Sequence, residues 1–167
     1  MPFTPLHLGP ALALKSLAKH KFSLLIFAWA QILMDLQPLA VILTGKGQAH
    51  GVTHTFLLAI PIGLAASLSG RLAVLGLARL FGKKTGTTPW LTWRIAILSG
   101  LTGSLSHVLL DALIYTDMHP FWPFISTNPL VTGQLTDGGM ATLLVYTGIA
   151  GLIVMGVSGL VDWIGQP

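Results

Sequence analysis

The sequence predicts an all-α, polytopic membrane helix bundle, with about four transmembrane helices preceded by a short N-terminal helix. Three observations carry that reading. The chain has 167 residues, of which 53% are hydrophobic and 8% charged. Soluble domains carry about 25% charged residues, so this chain cannot cover a water-facing surface. Four long apolar segments, Phe22–Leu43, His54–Phe81, Trp90–Tyr115 and Gly139–Ile164, each supply the ~20 residues needed to cross a bilayer. Basic residues gather in alternate connections between them. The length suits a single membrane-embedded domain, residues 1–167.

The first element, Leu6–Ala18, is shorter and carries Lys15, which fits a half-spanning or interfacial helix. It does not read as a cleavable signal peptide. Pro2, Pro5 and Pro10 lie within the first ten residues, and the lysines follow the apolar stretch Leu6–Leu14 instead of preceding it. Lys15, Lys19 and Lys21 then separate it from the first long segment. Arg79, Lys83, Lys84 and Arg94 lie between the second and third long segments, and Arg71 interrupts the second one. The opposite connections hold only Lys46. By the positive-inside rule the basic connections face the cytoplasm and the loops around His50 and His119 face outward. The expected location is therefore a bacterial inner membrane, crossed several times, with any site at those loops on the non-cytoplasmic side. The net charge of +4 bears on this orientation and does not point to nucleic acid.

The chain has no cysteine, so thiolate metal sites and disulfides are excluded and a metal must take nitrogen and oxygen ligands. It has no glutamate either; its five acids are Asp35, Asp111, Asp117, Asp137 and Asp162. Asp35 and Asp111 fall inside long apolar runs. An ionisable group there costs roughly 2.5–3.5 kcal/mol on insertion scales and marks a functional site by default. At ~1.5 Å per residue, Asp35 beyond Lys21 and His107 beyond Arg94 both stand about 20 Å from the basic face. His7 reaches the same height if the first helix runs toward the basic side. His54 opens its segment from the outer side.

Four motifs follow. Ser106-His107-Val108-Leu109-Leu110-Asp111 puts His107 and Asp111 on one helix face, with Ser104, Gly103 and Gly100 continuing it. Such a pair can chelate an ion such as zinc, or it can be a buried hydrogen bond joining packed helices. His50-Gly51-Val52-Thr53-His54-Thr55 aligns His50 and His54 if a helix begins there, with Thr53 as its cap; otherwise these are two boundary histidines. Gln31 and Asp35 share a face, and Pro38 perturbs the helix just beyond them. Asp117-Met118-His119-Pro120-Phe121-Trp122-Pro123-Phe124 fits a rigid interfacial loop, either an aromatic anchor or a substrate-facing lid. Five histidines and three aspartates thus fall toward one end of the helices, which independent packing roles would not require.

These strings, together with Thr4-Pro5-Leu6-His7, resemble the small bacterial membrane proteins grouped as YdjM-like, or DUF4184, metal-dependent hydrolases. The resemblance spans most of the chain in the order and spacing of its motifs. That group is similar to the zinc-dependent phospholipase C and P1 nuclease families, all-helical enzymes with zinc clusters built from His and Asp. The resemblance implies that His7, Asp35, His54, His107 and Asp111 are metal ligands, with His50 a further candidate. Relatives carry an additional acid near the aspartate where this chain has Leu36-Gln37, so one or two zinc ions, or another divalent metal, is the implied count. The implied activity is metal-dependent hydrolysis, with a lipid or lipid-like phosphoester as substrate. Asp35 would bridge metals or act as base, and His50 or His119 would protonate the leaving group. Two other classes stay open at this point: a non-enzymatic metal-binding or ion- or proton-translocating protein, and a structural subunit.

Overall fold

A computed structural model describes residues 4–82, 91–131, 133 and 135–164. It is an all-helical membrane bundle. Its helices are α1 (Thr4–Ala18), α2 (Leu24–Met34), α3 (Leu36–Thr44), α4 (Phe56–Leu80), α5 (Trp93–Ala112) and α6 (Asp137–Ile164). Four spans are long and apolar enough to cross a membrane: Leu24–Thr44, formed by α2 and α3 together, then Phe56–Leu80, Trp93–Ala112 and Gly138–Ile164. Lys83, Lys84 and Trp90, used above to place one basic connection, lie outside the described residues.

Local chemistry sets the helix ends. Ser23, Thr55 and Thr92 occupy the N-cap positions of α2, α4 and α5, and each hydroxyl accepts a backbone N–H from the first turn. The cap of α4 is therefore Thr55 and not the expected Thr53. A short 3-10 turn, Val52–His54, precedes the helix, so α4 begins two residues later than the motif suggests. The break between α2 and α3 falls at Asp35. Pro38 has no N–H to offer the carbonyl four residues before it, at Met34, and its ring crowds that carbonyl.

The packing contacts fix the direction of each helix. Ser23 N–H donates to Ser99 Oγ, and eight residues further along both helices Gln31 meets His107, so α2 and α5 run parallel. On α4, Gly63 packs against Ser104 and Gly100, while Arg71 further on reaches back to the carbonyl of Leu91 and lies over the Trp93 ring. Helix α4 is thus antiparallel to both. Gly9 packs on Leu144, and Leu12–Ala13 on Gly151, so α1 and α6 run parallel. The start of α1, the end of α2, the start of α4 and the end of α5 consequently share one end of the bundle. The expectation that His7 descends from that end holds.

Small residues permit these approaches. A Cβ at Gly100 would sit 2.2 Å from Ser67 Oγ, and one at Gly103 2.8 Å from Ala30 Cβ. A Cβ at Gly9 would come within 1.9 Å of the Leu144 carbonyl oxygen, which is backbone and cannot step aside. Gly9→Leu is therefore expected to push α1 off α6 at a cost of roughly 1–3 kcal/mol, the range for overpacking. A lower thermal midpoint in detergent, with weaker metal retention because His7 moves, is the expected result.

Candidate metal centre

Each predicted ligand arrives from a different piece of backbone. His7 comes from the first turns of α1, Asp35 from the break after α2, His54 from the 3-10 turn before α4, and His107 and Asp111 from the last turns of α5. All five meet. His107 Nε2 lies 3.3 Å from Asp111 Oδ2 and 3.4 Å from Asp35 Oδ1. His7 Nε2 is 3.4 Å from Asp111 Oδ1, and His54 Nε2 is 4.0 Å from Asp111 Oδ2. The rings of His7 and His54 stand 4.8 Å and 5.2 Å from that of His107. Two ligand triads result, His7–His107–Asp111 and Asp35–His54–His107, sharing His107.

The distances are compatible with a metal centre. A charge-assisted N–H···O bond closes to about 2.7–2.9 Å. Two donor atoms each about 2.0–2.1 Å from a tetrahedral zinc ion lie about 3.3–3.4 Å apart. Three of the four His–Asp separations fall at the second value. In agreement, the Nε2 atoms of His7, His54 and His107 and Oδ1 of Asp111 are buried without any hydrogen-bond partner. Buried polar atoms are otherwise almost always satisfied. Charge gives the same answer: three neutral imidazoles and two carboxylates carry −2, which one divalent cation cancels.

The tautomers are set from behind. His107 Nδ1 lies 2.6 Å from Gln31 Oε1, and Gln31 Nε2 donates to the carbonyl of Gly103 at 3.0 Å, which fixes the amide orientation. Nδ1 of His107 must then carry the proton, leaving the Nε2 lone pair facing the aspartates. His54 is fixed by a longer relay. Gln37 Nε2 donates to the carbonyl of Gln48, and Gln37 Oε1 accepts from the Thr53 backbone N–H and hydroxyl. The Thr53 hydroxyl has spent its only proton, so it accepts from His54 Nδ1 at 3.0 Å. His54 also points an Nε2 lone pair inward. Burial pushes the His54 imidazole down to about 4, so it is neutral near pH 7. Ligating histidines held in this way by a second hydrogen bond are the rule in metal sites.

His50 forms an outer group. Its Nδ1 meets both oxygens of the Asp117 carboxylate at 3.0 and 3.1 Å, and its ring stacks on Tyr115 at 4.3 Å. Its Nε2 is buried without a hydrogen-bond partner, and its ring lies 5.5 Å from that of His54. His50 and His54 are thus neighbours across a turn, not along a helix face as the motif suggested. His119 is exposed; its carbonyl accepts the Trp122 N–H, and among the described residues no contact joins its imidazole to the cluster. His20, the sixth histidine, lies at the opposite end in the turn Lys19–Lys21.

No family model, curated protein or solved structure matches this chain. The geometry of the cluster therefore carries the functional argument.

Sequence reading missed the positioning groups Gln37 and Thr53, and saw Gln31 only as a partner of Asp35. The available signal was an amide within an apolar segment one helical turn before an acid. Gln31→Leu removes the acceptor for His107 and frees its ring to turn. The expected consequence is a 10–100-fold loss of metal affinity, as for other groups that orient ligands. Competition with a chromophoric chelator measures it; unchanged affinity would remove Gln31 from the centre.

Proposed function

We propose that this protein is a membrane-embedded, metal-dependent hydrolase, with zinc as the metal and a phosphoester as substrate. The observation that carries this reading is the convergence of buried, unpartnered Nε2 atoms of His7, His54 and His107 on two aspartates, those of His7 and His107 at tetrahedral ligand spacing and that of His54 at 4.0 Å. The motif resemblance to YdjM-like hydrolases, and through them to zinc-dependent phospholipase C, agrees with it. The two triads share the single lone pair of His107 Nε2, which binds one ion; a second ion would rest on Asp35 and His54 with Asp111 as the bridge.

Zinc held there supplies Lewis-acid chemistry, acidifying water toward a pKa of about 7 and polarising a phosphoryl oxygen. The protein's own groups divide the remaining work. Asp35 has the most accessible side chain of the five, 31% exposed against 7% for Asp111, and is placed to take a proton from attacking water. His50, whose Nδ1–H is held by the Asp117 carboxylate, would protonate the leaving oxygen from Nε2 when its ring carries a second proton there. His119 has no part in this scheme. Among the described residues Lys19, Lys21, Arg79 and Arg94 lie at the opposite end against Lys46 on the side of the centre, so the positive-inside rule directs the centre outward.

A proton or ion conduit would need a polar route from the cluster to the basic end. Below His107 the bundle is instead close-packed: Gly103 lies on Phe27 and Ala30, and Gly100 on Ser67. The Ser67 and Ser104 hydroxyls are turned back onto carbonyls of their own helices. A centre closed below suits turnover better than passage.

The test is a screen of purified protein against phosphomonoesters and phosphodiesters, lipid and water-soluble, with chelator controls. Hydrolysis abolished by chelation and restored by zinc supports the reading. A metal-loaded, folded protein inert toward the whole panel would overturn it.

A further inference from the structure

The centre is closed above as well as below. The segment that follows α5 folds back over it: Asn128 Nδ2 donates to the carbonyls of Ala112 and Tyr115, both at 2.8 Å. The Phe56 N–H donates to the Pro120 carbonyl, and Met118 is fully buried against Met34, Ala59, Val108 and Ala112. The other outer connection is clipped to α3 through Gln37, Gln48 and Thr53. Beneath lie Phe27 and Ala30, both buried. The remaining accessible edge among the described residues is that of Asp35.

That edge does not face an aqueous end of the bundle. Asp35 lies inside the span Leu24–Thr44, 11 residues from its first residue and 9 from its last. Backbone hydrogen bonds continue through the break, from Asp35 to Gln31 and from Leu39 to Asp35, so helical register is kept. Residues one turn before and after Asp35 on its face are Ile32 and Leu39, with Leu36 adjacent, and all three are exposed apolar side chains. An accessible carboxylate at that depth, bordered by lipid-facing leucines and isoleucine, is costly unless something polar covers it.

We propose that the substrate is a membrane lipid phosphoester that enters sideways from the bilayer. Its acyl chain lies along Ile32, Leu36 and Leu39, and its phosphate reaches the centre past Asp35. The chemistry of the headgroup rests on the hydrolase reading; the route rests on the closed ends and on the one open edge among the described residues. A substrate arriving from water would have to displace the packed outer loops, whereas a lipid already occupies the surface beside Asp35.

The experiment uses the zinc-loaded protein in vesicles of phosphatidylethanolamine and phosphatidylglycerol. These contain a hydrolysis-resistant phosphonolipid with a photoreactive diazirine in its acyl chain. Peptide mapping should place the cross-links in residues 32–39, competed by unlabelled phosphonolipid and not by water-soluble methylphosphonate. Leu36→Trp and Leu39→Trp should cut this labelling, and lipid hydrolysis with it, by at least about tenfold, the scale on which a misfit of pocket size discriminates. Zinc content and the thermal midpoint should stay unchanged in both. Labelling spread evenly over the lipid-facing residues of α4 and α6, such as Leu68 and Leu152, overturns the route, as does competition by methylphosphonate. Labelling confined to residues 32–39 in a metal-loaded protein that hydrolyses no phosphoester would leave the lateral lipid route standing and remove the hydrolase reading instead.

Discussion

Asp111→Ala is expected to empty the metal centre and abolish any hydrolysis that depends on it. Asp111 is the residue on which three imidazoles converge, with His7 on one oxygen and His54 and His107 on the other. Removing it takes away a ligand from the first triad and half of the negative charge that faces the ion. Loss of a group that merely orients a ligand costs 10–100-fold in metal affinity, and loss of this shared carboxylate should exceed that. The fold should survive, because Val108 and Ala112 keep that turn of α5 packed against Met34, Ala59 and Met118. Metal analysis alongside circular dichroism separates the two effects. Asp111→Asn, which keeps the shape and removes the charge, should lose metal as well. Retention of full metal occupancy in both variants would exclude Asp111 as a ligand.

The second large effect is on stability. Metal that binds the folded state stabilises it by about 4 kcal/mol when present at a thousandfold its Kd. Withdrawing it also leaves the Nε2 atoms of three imidazoles and Oδ1 of Asp111 buried without hydrogen-bond partners. Chelation should therefore lower the thermal midpoint of the wild-type protein in detergent, and zinc should restore it. Asp111→Ala should melt near the chelated wild type and show no response to chelator. A wild-type midpoint indifferent to both chelator and zinc would mean that no metal supports the bundle.

Much of the fold was legible before any coordinates, because a bilayer imposes strong rules on composition. Twenty-residue apolar runs have few alternatives to spanning helices. Pro38 signalled a perturbation just beyond Asp35; the break falls at Asp35 itself, because the missing N–H acts four residues back. Depth arithmetic brought His7, Asp35, His54, His107 and Asp111 to one level because straight helices of constant rise preserve order along the membrane normal. That arithmetic gives heights and no lateral neighbours. Gln31 with His107, Gln37 with Thr53 and His50 with Asp117 are pairings between different elements, set by how helices and loops pack side by side. Local pattern could not choose between Thr53 and Thr55 as the cap of α4. Both flank His54 and both can accept a backbone N–H; the 3-10 turn decides, and leaves Thr53 to hold the imidazole. His119 looked equivalent to His50 because both lie near acids in sequence. Asp117 turns to His50, and His119 faces outward.

The central claim is that these five side chains hold a divalent ion, and the metal content of the purified protein tests it most directly. Protein expressed with zinc in the medium and purified without chelator should carry one or two zinc ions per chain by elemental analysis. X-ray absorption should give a shell of nitrogen and oxygen at about 2.0–2.1 Å with no sulfur, in keeping with a chain that has no cysteine. Folded, monodisperse protein that holds no stoichiometric metal, and takes up none of the divalent ions offered, would contradict the account.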